Sequence, residues 1–212
     1  MTSESAFRYW LITVALCIVA MAVSMAYVDR PVAEFVEAHI RHTQFWDWLD
    51  RALSPFVFVV GAALLCFLGC GVWLISGHEL PTWTETPFLI SAAVMWGIAC
   101  EIGLKHIFGR GWPDPTFVQQ HRYGFRLLHG DRYWDSFPSG HATVALAILS
   151  VLWILKSRWA VPVTPIAALL LAALVLGNSH WLSDVIAGAF LGASIGWMTV
   201  RLLHSVSKGI LN

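Results

Sequence analysis

The feature that most restricts how this chain can fold is the spacing of its charges. Asp, Glu, Lys and Arg are absent from six long windows, 9–28, 52–78, 86–100, 136–155, 159–183 and 185–200. Most of these approach the ~20 residues with which an apolar helix crosses a bilayer. Lipid offers no water to a bare N–H or C=O, so such windows, which lack the alternation of barrel strands, must be helices. Only 12% of the residues are charged and 58% are apolar, where a soluble domain carries ~25% charge. The chain therefore reads as an all-α membrane protein, a single domain over 1–212.

The windows predict a six-transmembrane-helix bundle, with a first span over 9–28 and five more at roughly 55–76, 87–107, 139–155, 161–178 and 182–203. Ser24 and Ala26 resemble a weak signal-cleavage site, but an uncleaved first span is favoured. Residues 30–51 mix charges with Val32, Phe35, Val36, Ile40, Phe45, Trp46, Trp48 and Leu49, the pattern of an interfacial amphipathic helix after the first span. Six spans bring both termini to one face. Arg8, Lys156, Arg158, Arg201 and Lys208 fall there and mark it as cytoplasmic, in a cytoplasmic (inner) membrane. The opposite, extracytoplasmic or periplasmic face receives the long 108–138 loop, where Arg110, Arg122, Arg126 and Arg132 stand against Asp114, Asp131 and Asp135. Positive charge on the outer face runs against the topology rule, which points to anion binding beside the plainer reading of a solvated, ion-paired loop. The net charge of +0 and the absence of basic tracts exclude a nucleic-acid partner. Cys17, Cys66, Cys70 and Cys100 lie in or against apolar windows and read as small core hydrophobes. Gly188, Gly192 and Gly196 form a small-residue ridge, suited to packing inside the bundle more than to a dimer face.

Ionisable groups at membrane depth are expensive, so each is a functional candidate. Lys105, His141 and His180 all reach the outer face in this topology, with Glu101 one turn before Lys105. Phe137-Pro138-Ser139-Gly140-His141 opens a helix whose free N–H groups, hydroxyl and glycine make an oxyanion cradle, or simply a capped start with an interfacial histidine. His180 and Asp184, four apart, share a helix face, so the carboxylate can fix the imidazole tautomer and leave the other nitrogen as nucleophile or base. His141, His180 and Asp184 could alternatively be zinc-type ligands, although Lys105 and the nearby arginines suit an anion better. Lys105 and Arg110, five apart at the exit of the third span, lie at a turn carrying Gly109, Gly111, Trp112 and Pro113, fitting a phosphate group or, in the plainer reading, lipid headgroups.

In order and spacing these residues resemble the type 2 phosphatidic acid phosphatases, a family with three motifs. The first is a Lys followed after six residues by Arg-Pro. Pro-Ser-Gly-His is the second, and the third is Ser-Arg followed after five residues by a His and four later by an Asp. Lys105 with Pro113, Pro138 to His141, and His180 with Asp184 match, and the resemblance covers about 87–200, the catalytic core. Trp112 stands where the first arginine is expected, and Ala173 and Leu174 stand for Ser-Arg. Gly109-Arg110-Gly111-Trp112-Pro113 is similar to a Gly-Arg-x-Trp-Pro variant of the first motif, favouring Arg110 over Arg122, Arg126 and Arg132 as the replacement cation.

The resemblance implies hydrolysis of a phosphomonoester or diphosphate through a phosphohistidine, with no metal and no cofactor. It assigns His180 as nucleophile, Asp184 as its orienter and His141 as the acid that protonates the leaving oxygen. Lys105, Arg110, Ser139 and Gly140 would bind phosphate, with Arg122, Arg126 and Arg132 as extra contacts. The expected partners are the bilayer and an anionic phosphorylated lipid, with a homo-oligomer compatible. Transfer of the phosphoryl group to another lipid, or non-catalytic lipid binding or transport, are the competing readings.

Overall fold

The computed structural model describes residues 3–41, 43–128 and 134–210. Arg132 and Asp131 of the outer loop lie outside the described residues. The described chain is all helical. Its only β-type pairings are two isolated bridges, joining Arg110 to Phe125 and to Asp135.

The first helix, α1 (Ser3–Val23), passes through a wide turn at Ser24–Val28 into α2 (Asp29–His39). Then come α3 (Gln44–Leu53), α4 (Phe56–Ile75), α5 (Glu85–Phe108), α6 (Gly140–Ile154), α7 (Ala160–Leu176) and α8 (Leu182–Ile210). Four segments are long and apolar enough to cross a membrane: Glu4–His39, Phe56–Ile75, Thr82–Phe108 and Leu182–Leu203. The helices α6 and α7 are apolar but shorter, at 15 and 17 residues.

Two expectations change here. The amphipathic stretch 30–51 is two helices, because the N–H groups of Ile40 and Arg41 both bond the Val36 carbonyl (2.9 and 3.1 Å), which closes α2 before Thr43 starts a new turn. Its first half is also continuous with the first span, with helix running from Glu4 to His39. The boundary falls at Ser24–Val28, where a wider turn lets the chain pass from an apolar to a mixed sequence without a break.

The bundle is built around α6, whose Ala142, Thr143, Val144, Ala147, Leu149, Val151 and Leu152 are buried. It meets α5 and α8 at Leu89, Ala93, Ala147, Val151 and Val200, and α7 and α8 at Ala142, Leu174 and Val185. The Gly188/Gly192/Gly196 ridge makes the α6–α8 contact close. A Cβ at Gly188 would strike the Ser139 carbonyl, one at Gly192 the Thr143 carbonyl, and one at Gly196 would lie 2.8 Å from the Ala147 oxygen. This is the backbone approach that small residues allow between membrane helices. By contrast α4 turns Phe58, Leu65 and Ile75 outward, consistent with a lipid-facing helix. On α8, Trp10 of α1 donates to Ser194 Oγ (3.2 Å).

Candidate active site

The α6–α8 contact brings two helix starts together. At the first, Ser139 has extended backbone and its hydroxyl accepts from the Ala142 N–H at 3.4 Å, an N-cap. Its own N–H donates to the Asp184 carbonyl (3.1 Å), which pins the start of α6 to α8. His141 follows one residue into the helix. Its ring lies tilted against Phe56 (3.8 Å between centroids) and edge-on to His180, with 6.4 Å between those two centroids.

His180 is buried in the turn before α8, held by its N–H on the Leu174 carbonyl (3.0 Å). Its Nδ1 is buried without a hydrogen-bond partner and stands 3.7 Å from Asp184 Oδ2. The i, i+4 pairing expected of these residues is therefore present, slightly longer than a formed hydrogen bond. Asp184 is fully buried. Its Oδ2 accepts from Ser136 Oγ (2.5 Å) and the Trp181 N–H (3.3 Å), and its Oδ1 from Arg110 Nη1.

Lys105, in the last turn of α5, pairs with Glu101 at 2.6 Å and lies 5.6 Å from the Trp112 ring. Trp112 in turn packs against His180 at 4.8 Å. Glu101 has little exposure (7%), and a Cβ on Gly140 would lie 2.8 Å from its Oε1. A glycine is thus needed at 140 for the carboxylate to reach the positive end of α6, a place that attracts anions. The structure therefore brings together Lys105, Glu101, Gly140, Ser139, His141, His180 and Asp184, from α5 and from the starts of α6 and α8 with the residues just before them.

Arg110, expected to bind phosphate, is fully buried. Gly109, at φ 50°, turns the chain out of α5, and the Arg110 backbone is fixed by the Arg126 N–H on Gly109 and the Ser136 N–H on its own carbonyl (2.7 and 3.0 Å). Its side chain then runs inward. The guanidinium bonds Asp29 (2.7 Å), Ser183 (2.6 Å), Tyr123 (3.1 Å) and Asp184, with no exposure. Burial opposes its charge, but Asp184 and Asp29 outweigh it and hold the Arg110 pKa above its ordinary value. The loop arginines Arg122 and Arg126 are exposed, and Arg126 lies 4.3 Å from the centre of the Trp134 ring. Ala173 and Leu174, at the third-motif Ser-Arg position, are buried in α7, where Leu174 packs against Ala142 and Val185.

The side chains that sequence reasoning passed over are Asp29, Ser136 and Ser183. Asp29 directly follows the first uncharged window, and an ionisable group at the edge of an apolar span is the signal the sequence offers for it. Ser136 and Ser183 carry no spacing signal of their own. Among the described residues no group of three or more His, Cys, Asp or Glu side chains is arranged to hold a metal.

Below His141 an apolar groove of about 240 Å³ runs along α4, α6 and α7, lined by Phe56, Val59, Val144, Ile148, Val163 and Leu170. His141 is among its lining residues.

Comparison with known proteins gives the class. The PAP2 superfamily model matches residues 86–208, more than half of the chain, so the chain belongs to the PAP2 superfamily. Two curated relatives are lipid A 1-phosphatases. That of Rhizobium etli is 32% identical over 113 residues, covering 53% of this chain and 47% of that protein. That of Rhizobium johnstonii is 32% identical over 112 residues, covering 53% and 45%. The match spans about half the length of these relatives. No solved structure matches the chain.

Proposed function

We propose that this chain is a metal-independent membrane lipid phosphatase that hydrolyses a phosphomonoester or diphosphate headgroup at the extracytoplasmic face through a phosphohistidine. The observation that carries the reading is the facing of His141 and His180, 6.4 Å apart at two converging helix starts, with the Lys105 ammonium near by. Two imidazoles whose ring centroids lie this close can serve one phosphoryl group, one as attacking nitrogen and the other as acid for the departing oxygen, the two roles that phosphoryl transfer needs.

In the first step the His180 Nε2 lone pair forms an N–P bond as the P–O bond to the lipid breaks, and His141 gives its proton to the departing alkoxide. Asp184, facing Nδ1, stays ionised and offsets the positive charge that develops on the ring. In the second step neutral His141 accepts a proton from water, the hydroxide oxygen bonds phosphorus, and the N–P bond breaks to release phosphate. Lys105, Ser139 and the N–H groups at Gly140 would stabilise the oxygens, usually the largest catalytic contribution.

The six-span count belongs to the same reading: α6 and α7 serve as the two remaining spans, placing both termini in the cytoplasm and the histidines outside. The lipid would keep its chains in the bilayer, and the apolar groove that His141 helps to line offers one of them a berth beside the acid that protonates the leaving oxygen. The names of the relatives put a phosphorylated glycolipid first among substrates, ahead of phosphatidic acid, phosphatidylglycerol phosphate and polyprenyl (di)phosphates.

Purified protein in detergent with excess EDTA is expected to release phosphate from at least one of these lipids, and His180→Ala to abolish the release. Activity lost in EDTA and restored by zinc would overturn the metal-free mechanism. No release across the panel would favour lipid binding or transport.

A further inference from the structure

Asp29 is 2% exposed, at the start of a helix that the family match does not reach. Its Oδ1 accepts from Ser24 Oγ (2.7 Å) and from the Ser183 N–H (3.2 Å). Its Oδ2 accepts from the Ser183 hydroxyl (2.5 Å) and from Arg110 Nη2 (2.7 Å). Arg110 passes the chain of contacts on, since Nη1 donates to Ser183 Oγ (2.6 Å) and to Asp184 Oδ1. Asp184 then faces His180 through its other oxygen.

A buried carboxylate with no cation is severely penalised, so each aspartate needs this one guanidinium. Four of the guanidinium's five N–H donors are already engaged inside the protein. Both Nη atoms are engaged, Nε is enclosed without a partner, and the rings of Tyr123, Phe125 and Trp181 lie 5.5, 5.2 and 5.1 Å from Cζ.

We propose that Asp29 and Arg110 are positioning residues that hold the Asp184 carboxylate, and through it the His180 ring, and that Arg110 is not a phosphate ligand. Asp29 orients the fork, the fork fixes Asp184 Oδ1, and Oδ2 is thereby turned to His180 Nδ1. Substrate charge is met instead by Lys105 and the start of α6. This rests on the hydrolase reading above and adds to it a residue from the N-terminal helix.

The test is a double-mutant cycle on the full chain in detergent, with inorganic phosphate as competitive inhibitor and a phosphorylated lipid from the panel as substrate. Asp29→Asn is expected to lower kcat roughly 10- to 100-fold, the scale seen when the outer partner of an oriented histidine is removed. KM and phosphate inhibition should change less than about threefold, because binding is not what Asp29 supports. In an Asp184→Asn background the same substitution should have no further effect on kcat. Lys105→Gln is the contrast, weakening phosphate inhibition about tenfold or more. Should Asp29→Asn fail to fold, Ser183→Ala takes its place, removing the hydroxyl that links Asp29 to Arg110 while leaving all three charges. Parental kcat in the substituted protein, or additive losses in the cycle, would overturn the proposal while leaving the phosphatase reading intact. Phosphate inhibition weakened by Arg110→Gln as much as by Lys105→Gln would do the same, returning Arg110 to the substrate. A parent chain without phosphate release overturns the phosphatase reading itself, and this one with it.

Discussion

At the scale of single residues, the site rests on a few ionisable side chains in a chain of which only 12% is charged. Lys105, His141, His180 and Asp184 stand out in the sequence because ionisable groups are costly in an apolar chain, and the fold gathers all four. Arg110 stands out for the same reason, yet its surroundings were out of reach. The carboxylate that turns it inward is 81 positions away, and no local pattern reports a pair at that separation. Glu101 was an unassigned neighbour of Lys105, and the fold gives it a place as the ion-pair partner beside Gly140. That place yields a prediction. A methyl group at 140 meets only the end of the flexible Glu101 side chain, so Gly140→Ala should move stability by no more than about 1 kcal/mol. It should nonetheless push Glu101 aside and disturb Lys105, raising KM severalfold at little cost to thermal unfolding. Steady-state kinetics and a melting curve on the same preparation check both halves, and an unchanged KM would detach the Glu101–Lys105 pair from substrate binding.

At the scale of elements, helix identity followed from hydrophobicity, and the observed bounds of α4 to α7 fall within a few residues of those expected. The division of 30–51 into two helices did not follow, since an amphipathic pattern runs smoothly across a break that two backbone N–H groups on one carbonyl create. Glycines in these helices look alike in sequence but differ in their surroundings. Gly192 packs against the α6 backbone, whereas nothing lies within 4 Å of a Cβ at Gly69 in α4. Gly192→Ala should therefore destabilise the protein by about 1–3 kcal/mol as the two helices are forced apart. Gly69→Ala should be neutral or stabilise by up to about 1 kcal/mol, through the lower entropy of alanine in the unfolded chain. Thermal unfolding in one detergent compares the two, and equal effects would mean that the α6–α8 contact is looser than its geometry. Because this contact carries His141 on one helix and Asp184 on the other, Gly192→Ala should also lower phosphate release.

At the scale of the whole molecule, the length of α6 and α7 is the feature that bears on topology. At ~1.5 Å per residue, the 15 residues of α6 reach about 22 Å, short of the ~30 Å hydrocarbon layer. The six-span reading predicts that, in a cysteine-free background, a cysteine at exposed Gln119 reacts with an impermeant maleimide in intact cells. One at Ser157, between α6 and α7, should react only after permeabilisation. Labelling of both from outside would make α6 and α7 a re-entrant hairpin. The buried charges also bear on how the molecule is partitioned. Asp29 lies 57 positions before the family match begins at residue 86, yet it is bonded to the loop and helix on which Asp184 is held. The recognisable core is thus not portable: grafted onto a different N-terminal helix, it would leave Arg110 facing one carboxylate instead of two. Any recombination within the superfamily that exchanges this helix must carry an aspartate in the same register or change Arg110 along with it.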